Sequence, residues 1–188
     1  QTQKDLCLAH PKGGIMNIDV LSFGRLAYRV FEEVGQDARV VLDDEGKNLV
    51  LRKIAGECEK DLKVFKGNLK KQGYISEVKS VLSEFAQYGV DFERLDDFMK
   101  EVPPESYLHY KLDDIRTIYE KFEEYLSEKY ITKEEMLDVL SDAVPYSDIL
   151  KGSVVAMDGF TGFTPVQNRL IGELFSVCEK VMITVTMD

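Results

Sequence analysis

The spacing of hydrophobic positions changes twice along the chain. From about residue 40 to residue 141, apolar side chains recur every three or four positions, which is typical of amphipathic helices. On either side, short continuous apolar runs predict buried strands of a parallel sheet. These runs are Ile15 to Leu21, Val154 to Met157 and Val181 to Val185. The pattern therefore predicts α/β segments at both ends and a long helical segment between them.

Capping signals place the ends of several predicted helices. Ser22 is a favoured N-cap and Gly35 a favoured C′ residue for the helix after the first strand. Thr132 and Glu135 form the pattern of a capping box. The other predicted helices are Thr2–Ala9, one capped by Asp43-Asp44, Lys60–Leu69, one over Ile75 to Phe85, Asp91–Met99, Leu108–Leu126 and one from Pro165.

The order of these elements predicts the fold class. A parallel-sheet α/β domain interrupted by an all-helical insertion explains it most simply. We expect residues 1–38 to begin the α/β domain, residues 39–145 to form the insertion, and residues 146–188 to return to the α/β domain. The first residue is not Met and the last residues are strand-like, so we expect a fragment of a longer protein.

Composition narrows the possible functions. The net charge of −10 argues against nonspecific nucleic-acid binding by the chain as a whole. Most of this charge lies in the central helical segment, so the end segments stay open to contact with DNA. Three scattered cysteines suit a reducing cytoplasm better than a disulfide framework. No apolar run is long enough to span a membrane, and the first residues do not resemble a signal peptide.

Asp158 is the main candidate for chemistry. It follows the apolar run Val154 to Met157, and open α/β folds bind ligands at this end of their strands. In P-loop motors such an aspartate holds the Mg²⁺ of the nucleotide. An aspartate that only caps the following loop has the same pattern. The Walker A pattern G-x-x-x-x-G-K-[ST] does not occur in the sequence.

Two segments carry a resemblance to superfamily 1 helicases of the UvrD kind. Residues 22–29 read S-F-G-R-L-A-Y-R and resemble the helicase motif T-F-H-x-L-A-x-R. Residues 154–158 lead into D-G-F, where those helicases have the Walker B sequence D-E-F-Q-D-T. In that family a large helical insertion, the 1B subdomain, separates the two segments, as the helical segment does here.

The chain is more similar to the AddB/RexB family. That family has V-x-S-F-x-R-L-A after a Gly-Gly turn, and D-G-F-x-x-F-T-P-x-Q in place of the Walker B sequence. Both stand here, at residues 13–14 with 20–27 and at residues 158–167. The resemblance implies a P-loop-helicase-like (1A) domain, incomplete here, with a 1B-like insertion.

The resemblance also implies a function. AddB-type subunits belong to an ATP-dependent helicase and exonuclease, a hydrolase that processes double-strand DNA ends for homologous recombination and DNA repair in the cytoplasm. An AddA-type partner subunit supplies the working motor, and this region holds the 3′ strand. ATP with Mg²⁺ and an iron–sulfur cluster are implied for the parent protein. We expect no cofactor in this fragment.

The motor chemistry is expected to be degraded. Gly159 stands where an active motor carries the glutamate that positions water, and Thr161-Gly162 replaces a Gln-Asp pair. Asp158 is therefore the one cofactor-binding candidate, and no catalytic residue is expected in this fragment.

DNA contact is the remaining role for the two motif segments. Free N–H groups and the dipole at helix N-termini suit phosphates, which makes Ser22, Arg25, Thr164 and Gln167 candidate DNA-binding residues. Ordinary N-capping is the alternative for Ser22 and Thr164. An ion pair with Glu32 or Glu33 is the alternative for Arg25.

Two other sets of side chains have open interpretations. Phe160 and Phe163 can stack on bases or pack against the sheet. Five lysines would form one basic stripe on a helix, facing either phosphates or solvent. They are Lys60, Lys63, Lys66, Lys70 and Lys71.

Two other functions fit parts of the pattern. One is an active superfamily 1 helicase with an unusual Walker B segment. The other is a helical protein-interaction module on a small α/β base, with the Tyr- and Phe-rich stripe from Leu108 to Leu126 as its partner surface.

Overall fold

The computed structural model describes residues 2–35, 39–68, 71–127 and 129–186. Within these ranges eight α-helices, one short 3-10 helix and four strands follow one another. The helices are α1 Thr2–Ala9, α2 Phe23–Val34, α3 Asp44–Glu57, α4 Gln72–Tyr88, α5 Phe92–Glu101, α6 Tyr107–Leu126, α7 Glu135–Ala143, the 3-10 helix Val144–Tyr146 and α8 Pro165–Val177. The strands are β1 Val40–Leu42, β2 Tyr130–Thr132, β3 Val154–Phe160 and β4 Lys180–Val185.

Local capping predictions are confirmed at α2 and near α7. The Ser22 hydroxyl accepts a hydrogen bond from the Arg25 backbone N–H at 3.4 Å, and Gly35 ends α2 at a φ of 70°. Thr132 and Glu135 exchange the two capping-box bonds, at 2.7 Å from the Thr132 N–H and 3.2 Å from the Glu135 N–H. The helix itself begins at Glu135, three residues after the predicted cap.

The first of two buried clusters lies among α3, α4, α5 and α6. Ile54, Ile75, Leu95 and Ile118 are each almost fully buried in it. The stripe of α6 belongs to this core, because most of its large apolar side chains are buried there. It is therefore not the exposed partner surface that the interaction-module alternative required. The large apolar side chains of α6 that are buried in the first cluster are Leu112, Ile115, Ile118, Tyr119, Phe122 and Leu126.

The second buried cluster joins α2, α7, α8 and the inner face of β3 and β4. Polar contacts hold these elements together. The Arg169 guanidinium on α8 binds both Asp138, at 2.8 Å, and Asp142 on α7. The Glu33 carboxylate of α2 accepts hydrogen bonds from the Ser147 hydroxyl at 2.5 Å and from the backbone N–H of residue 149 at 2.9 Å.

Strands β3 and β4 form a parallel pair, as predicted. Ala156 lies opposite Met182 and Met157 opposite Ile183, with an irregularity before Phe160 pairs with Val185. The two strands were predicted to be buried, but the structure buries only one face of the pair. Alternate residues face α8 and α2, whereas the other face is open to solvent in the described structure.

The prediction of a strand over Ile15 to Leu21 is wrong. No strand occurs in this segment, all of which is described, and Ile18 is 48% exposed. Val155 and Ile183 share a sheet, but Ile18 does not join it. A β-branched segment becomes a strand only when a neighbour accepts its backbone hydrogen bonds. Within the described residues, β3 pairs only with β4.

The prediction of a helix over Lys60 to Leu69 is also wrong. The described part of this segment, up to Asn68, forms turns. The buried carboxylate of Asp114 accepts hydrogen bonds from the N–H groups of Lys63, Val64 and Phe65, at 2.8, 2.7 and 2.8 Å. These N–H groups are therefore not available for the ladder of a helix.

A second, shorter parallel pair was not predicted. Strand β1 pairs with β2 over three residues, with Val41 opposite Ile131. The pair joins the start of the first cluster to its end, because α3 follows β1 and α6 precedes β2. Ile131 and the residues of α7 pack in the second cluster. The helices that form the first cluster therefore end just before β2. The predicted domain boundary at residue 145 stays a prediction.

Charged side chains fill the junction between the two clusters. Lys47 of α3 is 2% exposed, and its ammonium group donates to Glu134 at 2.7 Å and to the Ser83 hydroxyl at 3.2 Å. Glu123 of α6 is half-buried nearby. Burial, and then the charge of Glu135, raise the pKa of Glu123 to about 7. The junction is therefore sensitive to the charge state of Glu123.

Among the helices in the described ranges, none combines the length and apolar character needed to cross a membrane.

Candidate functional site

The two motif segments meet at the carboxyl end of the β3–β4 pair. The ring of Phe23, the first residue of α2, lies 5.7 Å from the ring of Phe160, the last residue of β3. The Phe160 ring in turn lies 4.9 Å from that of Phe163 in the following loop. All three rings are partly buried against the second cluster. Packing against the core is thus observed for Phe160 and Phe163, while an exposed part of each ring remains.

Asp158 lies at this edge and is exposed. Its carboxylate accepts a hydrogen bond from the hydroxyl of Thr184 on the neighbouring strand. The same hydroxyl lies 3.5 Å from the Met157 carbonyl oxygen. A cross-strand bond of this kind fixes the Asp158 side chain at the strand end, so the structure gives this residue a local structural role.

The described residues do not assemble a metal site at Asp158. No group of three acidic, histidine or cysteine side chains comes together there or elsewhere in the described ranges. Mg²⁺ bound with a nucleotide needs few carboxylates, but it also needs phosphates held by other groups. The sequence contains no Walker A pattern to hold them. These residues alone therefore do not fit a bound Mg–nucleotide complex.

Gly159 has a backbone conformation that disfavours any side chain. Its φ is +81°, and it lies at the irregularity of β3 between Met157 and Phe160. No atom lies within 4 Å of where a Cβ would stand, so the obstacle is the backbone angle and not the space. A glutamate at this position would require a different path of the strand end.

The start of α8 confirms the capping interpretation of Thr164. The Thr164 hydroxyl accepts from the Gln167 N–H at 3.3 Å, and the Gln167 side-chain oxygen accepts from the Thr164 N–H at 3.0 Å. This capping box occupies the Gln167 oxygen but leaves its amide NH₂ group without a described partner. Thr164 and Gln167 are both half-buried, so the amide group of Gln167 is the part of this capping box that is left to meet a ligand.

The structure does not show the predicted alternative for Arg25, an ion pair with Glu32 or Glu33. It is exposed one turn into α2, and it forms no ion pair among the residues that the structure describes. Glu33 faces the Ser147 hydroxyl instead, on another side of the helix. Arg25 thus presents an exposed cation in the first turn of α2.

Sequence reasoning missed Tyr28 on the same helix. Its side chain is 57% exposed although its neighbour Ala27 is fully buried. A signal was present in the spacing, because Arg25 and Tyr28 are three residues apart and share a helix face.

The predicted lysine stripe does not exist as a helix face, because residues 60–68 form turns. Lys63 is held by Asp113 at 2.9 Å and lies over the Tyr110 ring at 4.9 Å. Lys71 donates to Asn68 at 3.2 Å. Lys70 lies outside the described residues.

The cysteines are free thiols in three different places. Cys58 is buried, and burial raises the pKa of its thiol, which makes the thiolate scarce. Cys7 and Cys178 are only half-buried.

Replacing Gly159 by alanine is expected to lower the free energy of unfolding by about 1–2 kcal/mol, because alanine resists a positive φ. Chemical denaturation measures this change. Gly162→Ala is the matched control, since Gly162 lies in the loop that follows β3, without a positive φ and with open space at its Cβ. Equal effects of the two substitutions would contradict the strained geometry at Gly159.

Comparison with known proteins identifies the family. The family described as "ADDB, N-terminal" matches residues 1–188, which is the whole chain. A protein of Lachnoclostridium phytofermentans, named as a subunit of an ATP-dependent helicase/deoxyribonuclease, is 47% identical over 188 residues. Proteins with the same name from Alkaliphilus metalliredigens and Thermoanaerobacter sp. are 35% and 37% identical over 188 residues. Each comparison covers 100% of this chain but 16% of the relative, so the chain spans about a sixth of their length.

Proposed function

Because the chain belongs to the AddB N-terminal family, we propose that this region guides a DNA strand without hydrolysing ATP. The proposed context is an AddB-type subunit of an ATP-dependent helicase and exonuclease. That complex would process double-strand DNA ends for recombinational repair in the cytoplasm. An AddA-type subunit would supply the motor, and the strand held here would be the 3′ strand.

One observation carries the proposed DNA contact, namely the meeting of the two motif segments at one edge. The Phe23–Phe160 contact brings the start of α2 beside the end of β3 and the loop before α8. Two helix N-termini therefore border this edge, with Ser22 and Thr164 as their caps. Arg25 adds an exposed positive charge. Backbone N–H groups, a cation and partly exposed rings are the groups that bind the phosphates and bases of a single strand.

The proposed absence of hydrolysis is supported by the end of β3. Asp158 is bonded to Thr184, and Gly159 has no side chain with which to orient water. Its positive φ also means that a single substitution to glutamate would not give the geometry of a working motor. An active superfamily 1 helicase is disfavoured for this reason. The P-loop-helicase-like fold with a 1B-like insertion remains part of the proposal.

Arg25→Ala in the full-length subunit, assembled with its partner subunit, is expected to weaken binding of a single-stranded oligonucleotide roughly fivefold. Loss of one phosphate contact would also reduce the salt slope of log K by about one. Fluorescence anisotropy at several salt concentrations measures both quantities.

Arg52→Ala is the control for a general charge effect, since Arg52 is an exposed arginine on α3 in the helical part. It should leave affinity unchanged. If Arg25→Ala keeps both the affinity and the salt slope of the parent, the proposed strand contact at this edge is wrong.

A further inference from the structure

A thin wall, formed by the β1–β2 pair, separates the helical part (α3 to α6) from the α/β part (α2, α7, α8, β3 and β4). Neighbouring residues of a strand point to opposite faces. Leu42 of β1 and Tyr130 of β2 pack against the first cluster, whereas Val41 and Ile131 pack against the second. The chain passes between the clusters at these two strands, which pair over three residues. Among the described residues, the apolar connection between the two parts is therefore small.

A buried ion pair crosses this wall. The Lys47 ammonium group of α3 donates to the Glu134 carboxylate at 2.7 Å, and the two side chains are only 3% and 13% exposed. Lys47 also donates to the Ser83 hydroxyl of α4 at 3.2 Å, which anchors it in the helical part. Glu134 directly precedes α7, in the α/β part. Within the described ranges, the bond from Lys47 to Glu134 is the one side-chain hydrogen bond that joins the two parts.

A junction of this kind opens more easily than an apolar one. Exposing an apolar face to water is unfavourable, whereas two charges that separate into water regain their hydration. A buried ion pair therefore adds little net stability, and its best-attested use is to fix a register or a switch. Relative motion is expected between parts of a chain unless their interface is large and hydrophobic. The wall and the ion pair together meet neither condition.

The orientation of the helical part also affects the surroundings of the candidate site. Helix α4 of the helical part lies close to α8, and α8 begins after the loop that follows β3. A rotation of the helical part about the β1–β2 pair would therefore change the gap between α4 and α8.

We propose that the β1–β2 pair is a hinge between the helical part and the α/β part, and that the Lys47–Glu134 ion pair is the latch that holds the observed orientation. In the closed orientation the two charges neutralise each other away from water. In the open orientation both charges are hydrated, and each cluster keeps its own core. The hinge does not depend on the proposed strand path, because it concerns contacts within this chain alone.

Lys47→Met removes the latch and keeps an unbranched side chain. The buried Glu134 carboxylate then lacks its cation, and opening relieves this cost by hydrating it, so the variant should favour open orientations. Spin labels are introduced as encoded amino acids at Glu93 on α5 and Ser176 on α8, which are both exposed. Pulsed electron paramagnetic resonance measures the distance between them in the full-length subunit assembled with its partner. We expect the distance distribution to become roughly twice as wide as in the parent, as for movement of a whole part about a hinge.

Lys79→Met is the matched control. Lys79 lines the same small cavity as Lys47, but its ion pair with Asp44, at 3.8 Å, lies within the helical part. This variant should keep the distance distribution of the parent. Glu134→Gln breaks the latch from the other side and should widen the distribution as Lys47→Met does.

Three results would overturn the proposal. The first is a distance distribution of equal width in the parent and in Lys47→Met. The second is the same widening in Lys79→Met, which would indicate a general effect of lost charge. The third is faster amide hydrogen exchange throughout α6 and α8 in Lys47→Met, because the ion pair would then maintain the cores and not their orientation. Widening in Lys47→Met and Glu134→Gln alone, with unchanged exchange in both helices, supports the hinge and its latch.

Discussion

Asp114→Ala is expected to lower the free energy of unfolding by about 3–5 kcal/mol, although the residue is far from any proposed ligand. Its carboxylate is 1% exposed and accepts three backbone hydrogen bonds from Lys63, Val64 and Phe65. Removing the acceptor leaves the buried N–H of Phe65 and the part-buried N–H groups of Lys63 and Val64 without this partner. A fully buried N–H left in this way costs about 1–3 kcal/mol. Partial access of water to the loop keeps the total below the sum. Urea denaturation of the parent and the variant measures the difference.

The neighbouring residue provides the control. Asp113 is partly exposed, and its side chain binds the Lys63 ammonium group at 2.9 Å. Asp113→Ala should cost less than about 1 kcal/mol, as for surface ion pairs in general. Both variants change the charge by the same amount on adjacent positions of α6. Similar losses for the two would contradict the role given to Asp114 in shaping the turns of residues 60–68.

The second large effect is a fall of stability with rising pH, caused by Glu123. Its pKa is raised to about 7 in the folded protein by burial, with the charge of Glu135 as a further cause. The unfolded chain has the ordinary value of 4.5. As pH rises from 4.5 to 7, the unfolded state releases this proton first, so stability falls. The full shift, reduced for solvent screening of a half-buried group, corresponds to about 2–3 kcal/mol, and the fall ends above pH 7.

Glu123→Gln should flatten this part of the pH profile. The variant should match the parent near pH 4.5 and exceed its stability by about 2–3 kcal/mol at pH 8. The other charged or titratable groups at this junction are Lys47, Lys79, Tyr119, Glu134 and Glu135, and they are present in both proteins. Glu124→Gln is the control, because Glu124 is exposed on the same helix. If the parent and Glu123→Gln lose stability equally between pH 4.5 and 8, the titration of Glu123 is not the cause of the pH dependence.

Features that depend on neighbouring residues in sequence were predicted well. The caps at Ser22, Gly35 and Thr164 are set by side chains and backbone groups within four residues, so residue type and spacing contain the necessary information. The long helix α6 follows from hydrophobic periodicity, and the parallel pair β3–β4 from two continuous apolar runs.

Features that depend on distant residues were missed. The turns of residues 60–68 are fixed by Asp114, about fifty positions away, and nothing in the local periodicity reveals this contact. Strands β1 and β2 are three residues long and are separated by the whole first cluster. Residues 15–21 show the opposite case. Their side chains favour a strand, but no neighbouring strand pairs with them among the described residues.

The sequence predicted which residues belong to the candidate site better than it predicted how they are arranged. The order of the two motif segments indicated that they belong together, and the Phe23–Phe160 contact confirms that they meet. The resemblance also marked Gly159 as the place where a loss of motor chemistry is expected. It gave no indication of the positive φ at this residue, since that angle comes from the irregular pairing of β3 with β4. Nor did it show whether Arg25 is exposed to ligands or held by a neighbouring glutamate.

Hydrogen exchange of the assembled full-length subunit, with and without a saturating single-stranded oligonucleotide, tests the proposed strand path most directly. The proposal predicts slower amide exchange in two separate stretches, residues 22–30 and residues 158–167, with no change in the buried part of α6. Unchanged exchange in both stretches, while anisotropy shows that the oligonucleotide is bound, would contradict it.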